Sequence, residues 1–417
     1  MASNLIKQND KFVEYKYKIS EFYILIDGKE DRFPVERITD FRIEHYFEEA
    51  SFPIFKMEMM MEPSRYYKII KNKDTVRFKL RLQMYYTSRN DDADKSLLRD
   101  VINSTFCIYT DEDSDDYDED LKKAAGTQDD INQLDKINNV VELYLFKDTV
   151  SNIRSSFNVI LNDCTMCTAV TYLLYKAGIK HLLMSPFENT ASYGTLLLPP
   201  QSIEKQLRFL NNNYGFYRKG AIIYFGLMHS YVLNYKGGCT AWYNKEWKET
   251  IIYVLDKSNT MSFLSGAIIK PDEERYYYNA SPSAIGVLSN TVSTNVIQGT
   301  DASVVDMREY STTFASSGAK TSGQSNSRTL FNTYSNKYMV ETFAAQQKAN
   351  SMVLSVVLEN INIESFNPNK SISLIFENTS LNSKYKGIYR VATAIYSFTP
   401  TSSDYGITAA LVLKKVG

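Results

Sequence analysis

The sequence predicts a mainly β protein of the α+β class, in which two strand-rich regions flank a small α+β module. Three observations predict this. Apolar residues alternate with polar ones at period two in several N-terminal segments, which turns one set inward and the other outward on a strand. The period changes to helical spacing in a central stretch around residues 164–214. Tyrosine is abundant, with 31 copies against 17 glycines; its ring suits half-buried sheet faces and interfaces while its hydroxyl stays wet.

The first region, 1–155, opens with the apolar run Phe22 to Ile26, ended by the turn signal Asp27-Gly28. Phe41, Ile43 and His45 then alternate with Arg42 and Glu44. Phe55, Met57, Met59 and Met61 form a second alternating set, and Val76, Phe78, Leu80, Leu82 and Met84 a third. Strands this closely spaced read as an antiparallel sheet closed into a barrel, with one short helix after Pro63. The acidic run Asp111 to Asp120 and the polar stretch to residue 139 read as a solvated loop, because like charges at that density repel. Strand pattern resumes at Val140 to Phe146 and at Phe157 to Leu161.

The middle module, 156–250, carries the change of period. Asp163 is placed to cap a helix from Cys164 to Ala177, stopped by Gly178. Pro199-Pro200 breaks the chain, and Ser202 caps a second helix striped by Ile203, Leu207 and Leu210. Gly215 turns the chain into two strands, Phe216-Tyr217 and Ile222 to Phe225. The last region, 251–417, begins with Thr250 to Leu255. A connector rich in Ser, Thr and Asn follows at 279–329, then a helix from Tyr338 to Asn350. Strands close the chain at Met352 to Leu358, Ile372 to Phe376, Gly387 to Phe398 and Gly406 to Leu413. The last is apolar on both parities, so both its faces require cover, from its own chain or from partners.

Composition excludes more than it assigns. A formal net charge of -1 argues against binding nucleic acid or membranes by bulk positive charge. No segment is long and apolar enough to span a bilayer, and the N-terminus lacks the apolar core of a secretory signal. Four scattered cysteines do not make a disulfide scaffold and suit a reducing cytoplasm. Cys164-Thr165-Met166-Cys167 stands where a helix N-terminus would favour redox chemistry, but the flanking pattern lacks a βαβ unit and the cysteines read as small apolar residues of a helix. His45, His181 and His229 lack ligand spacing for zinc, and His45 reads as a hydrogen-bonded core residue. The acidic run lacks the glycine and glutamate of a calcium loop. Arg77, Lys79 and Arg81 form a basic row, read as a solvated barrel exterior, with a lining facing nucleic acid or an acidic partner as the alternative. No residue is assigned to catalysis, to a cofactor or to a metal.

The order of these regions resembles the baseplate hub proteins of contractile-tailed bacteriophages of the T-even type, and their relatives in type VI secretion spikes. Three stretches carry the resemblance: "FLNNNYGFYRKGAIIYF" within Leu198 to Phe225, "FPIFKMEMMMEPSRYYKII" in the first region, and "SFNPNKSISLIF" with "YKGIYRVATAIYSFTPTSSDYGITAALVLKK" at the end. The resemblance implies two tube-protein-like antiparallel β-barrel domains around the α+β module, and a structural role without catalysis. It implies a homotrimer whose six barrels form a pseudo-sixfold ring. That ring seats a hexameric tail tube on one side and a trimeric central spike on the other, with baseplate wedge proteins around it. It places the protein in the virion tail baseplate after assembly in the bacterial host cytoplasm, and allows DNA passage through the lumen. Tyr214, Phe216, Tyr217 and Tyr224 are the residues assigned to packing and interface in the middle module. The rival readings are a tube initiator, a fibre adaptor, and a cell-wall-degrading enzyme of the injection machine.

Overall fold

A computed structural model describes residues 11–47, 52–88, 91–109, 139–235, 249–256, 265–280, 353–401 and 404–416. The acidic run Asp111 to Asp120, nearly all of the 279–329 connector and the expected helix Tyr338 to Asn350 lie outside the described residues.

The chain runs through β1 (Lys11–Ile26), β2 (Lys29–Arg32), β3 (Ile38–Tyr46), β4 (Ile54–Met61), helix α1 (Pro63–Lys71), β5 (Arg77–Ser88), β6 (Asp91–Lys95), β7 (Arg99–Ile108) and β8 (Asn139–Lys147). The middle stretch holds α2 (Ser151–Arg154), β9 (Ser156–Thr165), α3 (Met166–Lys176), β10 (Leu182–Met184), β11 (Ser192–Ser202), α4 (Ile203–Tyr214), β12 (Ala221–Phe225) and β13 (Ser230–Asn234). Then come β14 (Glu249–Asp256), β15 (Ala267–Ile269), β16 (Glu273–Ala280), β17 (Val353–Glu359), β18 (Ile372–Phe376), α5 (Thr379–Tyr385), β19 (Gly387–Pro400) and β20 (Tyr405–Lys415).

The large sheet closes on itself. Going round from β1, its neighbours are β5, β7, β8, β4, β3, β19, β18, β14, β16 and β15, and β15 pairs with β1 again, making an eleven-strand circuit. β20 spans that circuit. One edge pairs with β19 along its length; the other pairs with β17 and, at Tyr405, with Tyr17 of β1. Two fused barrels result, sharing the β19–β20 hairpin. β1, β5, β7, β8, β4 and β3 complete the first. β18, β14, β16, β15 and β17 complete the second, bridged where the Gly266 N–H donates to the Glu359 carbonyl at 2.9 Å. Gly266 has φ +100°, and a Cβ there would sit 2.2 Å from the Val13 carbonyl oxygen, so only glycine fits. Strands far apart in sequence are thus zipped together, β19 on β3 and β15 on β1.

The period-two expectation fixes the interior. Phe41, Ile43, Phe55, Met57, Met59, Met61, Phe78 and Leu82 are fully buried in one core that runs through both barrels. The Asp27-Gly28 turn has both residues at positive φ, as a two-residue hairpin requires. The basic row is on the outer face and neutralised there. Arg77 pairs with Asp148 at 2.8 Å, Arg81 with Asp100 and Glu21 at 3.0 and 3.1 Å, and Lys79 lies 4.0 Å from Glu30.

Residues 360–370, between β17 and β18, fold into the core, and tyrosine hydroxyls hold them. Tyr17 Oη donates to the Ile361 carbonyl at 2.9 Å and accepts from the Ile363 N–H at 3.0 Å. Tyr276 Oη accepts from the Asn362 N–H, and Tyr396 Oη donates to the Ile363 and Phe366 carbonyls. Buried Glu274 accepts from Tyr15 Oη at 2.5 Å and from the Ser365 hydroxyl. This corrects the expectation of wet hydroxyls. These tyrosines are buried, and an internal polar partner satisfies each.

In the C-terminal strands, one of the two faces that need cover is exposed. Ile407, Ala409, Leu411 and Leu413 are buried, but on the opposite face Ala410 is exposed and Val412 is half-buried. Neighbouring Val357 and Ile388 are 50% and 46% exposed. Among the described residues, these positions on the second face stay exposed.

Candidate functional site

The stretch from β11 to β13 joins the middle module to the barrels. β11 pairs with β9 in a two-stranded ribbon. Pro199 and Pro200 lie inside β11, where the register shifts between Leu198 and Gln201. They do not break the chain, because the strand has an open edge and needs no donor there. α3 begins at Met166, and its cap is Thr165, whose side chain accepts from the Thr168 N–H at 3.2 Å. Asp163, the expected cap, sits in β9 at φ 47°. The other end is as read: Gly178 at φ 75° follows the helix, with the Gly178 and Ile179 N–H groups returning to the Tyr175 and Leu174 carbonyls. Ser202 caps α4, accepting from the Lys205 N–H, and Ile203, Leu207 and Leu210 are buried.

Phe216 and Tyr217 are not a strand. They form a turn after α4, and the hairpin is made by β12 and β13 instead. Both rings are fully buried. Tyr217 Oη donates to the Ser185 carbonyl at 2.8 Å, and Phe187 packs within 5.0 and 5.3 Å of the two rings. Tyr214 ends α4 and meets Tyr193 edge-on at 5.0 Å. Asn189, buried, ties this corner by donating to the Tyr214 and Gly215 carbonyls at 2.9 and 2.8 Å.

The β12–β13 hairpin has two buried faces. Ile222, Tyr224, Tyr231 and Leu233 belong to the barrel core. Phe225 and Val232 belong to the module core with the stripes of α3 and α4. Its alternation is apolar on both parities because it is a wedge between two cores. Three polar ties from the barrels fasten it. His45 Nδ1 is 2.8 Å from Tyr224 Oη, Arg390 donates to the Asn234 and Tyr235 carbonyls, and Lys147 donates to the Leu227 carbonyl. Burial pushes His45 down to about 3 and Lys147 below its ordinary value, so His45 is neutral at physiological pH. Sequence pattern pointed to Tyr224 and His45 but missed Arg390 and Lys147. The signal for Arg390 was an arginine inside the apolar strand Gly387 to Phe398.

The chemistry weighed from sequence gains little here. Cys164 lies in β9, not in the helix, and burial with the nearby Asp163 carboxylate raises its thiol above the ordinary value, the reverse of activation. Among the described residues, no three His, Cys, Asp or Glu side chains are grouped as metal ligands. The His181 and His229 rings meet edge-on, 6.2 Å apart.

A protein-family comparison decides what this arrangement belongs to: the profile of the bacteriophage PBS1 gene 109 protein matches residues 6–416. The chain belongs to that bacteriophage protein family. No curated protein sequence matches the chain. Solved structures with a similar arrangement include a tail protein from Neisseria meningitidis MC58, at 10% identity over 96% of this chain and 97% of that one, with a TM-score of 0.40. Another is the 43 kDa tail protein of prophage MuSo2 from Shewanella oneidensis, at 8% identity, 95% and 97% coverage, and a TM-score of 0.40. A third is the E. coli c3393 protein, a component of the type VI secretion system, at 9% identity, 95% and 76% coverage, and a TM-score of 0.39. In this chain, the wedge hairpin and its ties fasten the middle module to the barrels.

Proposed function

We propose that this member of the PBS1 gene 109 family is the hub of a phage tail baseplate, a structural protein that joins the tail tube to the central spike. The observation that carries the reading is the pair of fused barrels within one chain, in a bacteriophage protein. Three such chains present six barrels, which match a sixfold tube while keeping a threefold face for a spike. The outer face of β17, β20 and β19 supports association, since Val357, Ile388 and Ala410 are exposed there among the described residues and would gain cover from a neighbour. Wedge proteins contact the outside of such a ring, and its lumen lies on the path of the DNA. The rings at 214–224 act in this role by packing: Phe216, Tyr217 and Tyr224 are buried and shape the module that neighbours meet.

Gold-labelled antibody against the purified chain, applied to disrupted virions, tests the assignment. Label confined to the junction of tube and spike supports it. Label along the sheath, on fibres or on the capsid contradicts it.

A further inference from the structure

His181 and His229 are far apart in sequence, but the fold sets them side by side. β10 and β13 run parallel, with Leu182 opposite Ser230 and Leu183 opposite Tyr231. One residue back along that register, His181 stands opposite His229. Hydrogen bonds pin both backbones there. The His181 carbonyl accepts from the Ser230 N–H at 2.8 Å, and the His229 carbonyl accepts from the Gly226 N–H at 3.0 Å. The two rings meet edge-on with centres 6.2 Å apart; His181 is exposed and His229 half-buried. The third histidine of the chain, His45, is buried and bonded to Tyr224, so this pair holds the two imidazoles open to solvent. A ligating imidazole nitrogen lies about 2.0–2.1 Å from its metal, which puts the ring centre roughly 3.2 Å from the ion. Two such rings have centres about 4.5 Å apart when cis on one ion and about 6.4 Å apart when trans. The observed separation falls inside that span, so the backbone need not move for both rings to hold one ion.

We propose that His181 and His229 form a two-histidine site for a divalent late transition ion of the Ni²⁺ or Cu²⁺ class, with water completing the coordination. Imidazole nitrogen suits these ions, whereas Mg²⁺ and Ca²⁺ require oxygen ligands. Lys147, whose ammonium donates to the Leu227 carbonyl, is the nearby cation. Its charge opposes ions held by electrostatics alone, and so sharpens the preference for ions that bond strongly to nitrogen. Because the sheet already fixes both backbones, little ordering is left to be done on binding. The ion staples β10 of the middle module to β13 of the wedge hairpin, just beyond the end of their shared ladder. The site is independent of the hub assignment, because it needs only one folded chain.

The experiment is isothermal titration calorimetry of the full chain, without a histidine tag, with Ni²⁺ and with Mg²⁺. Ni²⁺ binds saturably at one ion per chain, and Mg²⁺ does not bind. His181→Gln and His229→Gln each lower the Ni²⁺ affinity about tenfold or more, because a single imidazole forms no chelate. Ni²⁺ raises the melting temperature of the wild type and leaves that of either variant unchanged. His181 is exposed, so His181→Gln folds and is the deciding variant. Absence of saturable Ni²⁺ binding, equal binding of Mg²⁺, or one-to-one Ni²⁺ binding that survives His181→Gln overturns the proposal.

Discussion

Tyr17 shows how a buried hydroxyl organises this chain. Its oxygen accepts from one backbone amide and donates to one carbonyl of the 360–370 segment. Tyr17→Phe keeps the ring and leaves both backbone groups buried without that partner. The expected cost is about 1–3 kcal/mol, read as a lower urea midpoint; an unchanged midpoint would remove the hydroxyl from the account. His45 makes a pH prediction. Its folded value is near 3 against 6.5 for the free side chain. The folded state therefore refuses a proton that the unfolded state accepts. The stability is full above about pH 6.5 and is lost progressively as pH falls towards 3, by about 1.4 kcal/mol per pH unit inside that window. Chemical denaturation at pH 7 and pH 5 should show wild type losing more than His45→Gln. Equal losses would mean that His45 is not held neutral.

The caps of α3 and α4 bring the argument to single elements. Thr165→Ala removes the side chain that accepts from Thr168 N–H and should cost about 1 kcal/mol, as should Ser202→Ala in α4. Asp163→Asn, which keeps a residue that tolerates the left-handed backbone at φ 47°, should cost less than Thr165→Ala, since Thr165 and not Asp163 is the cap; thermal melts of the three variants rank them. Much at this scale was legible. Alternating strands, the stripes of α3 and α4, Ser202 and Gly178 follow from periods and stereochemistry that neighbours in sequence decide. Asp163 was misread because Asp and Thr both cap well and local pattern cannot choose between sites two residues apart. Phe216-Tyr217 looked like a strand because aromatic residues favour sheets. The partner that β12 selects is β13, which starts nine residues after it, and the two rings fill the module core instead. Phe216→Ala should therefore cost about 3–5 kcal/mol.

The whole molecule depends on pairings that no local pattern reveals. β19 meets β3 across some 350 positions, and β20 meets β1 at a single residue pair. The sequence marked these strands as strands; which edges they share is settled by the common core. Arg390 and Lys147 were invisible for the same reason, because their carbonyl partners come from a distant hairpin. The double apolar character of β20 was legible, yet only the fold shows that one face is left open. Val357→Glu on that face should leave the thermal midpoint of the isolated chain nearly unchanged, within about 0.5 kcal/mol, while weakening self-association in sedimentation velocity. A large loss of stability without a change in association would mean that the face is internal. The hub account rests on copies of this chain closing into a threefold ring. Light scattering coupled to size exclusion measures that most directly. Three copies of the 47.8 kDa chain, about 143 kDa, are predicted; a hexamer, or a monomer at every concentration up to that of assembly, would contradict it.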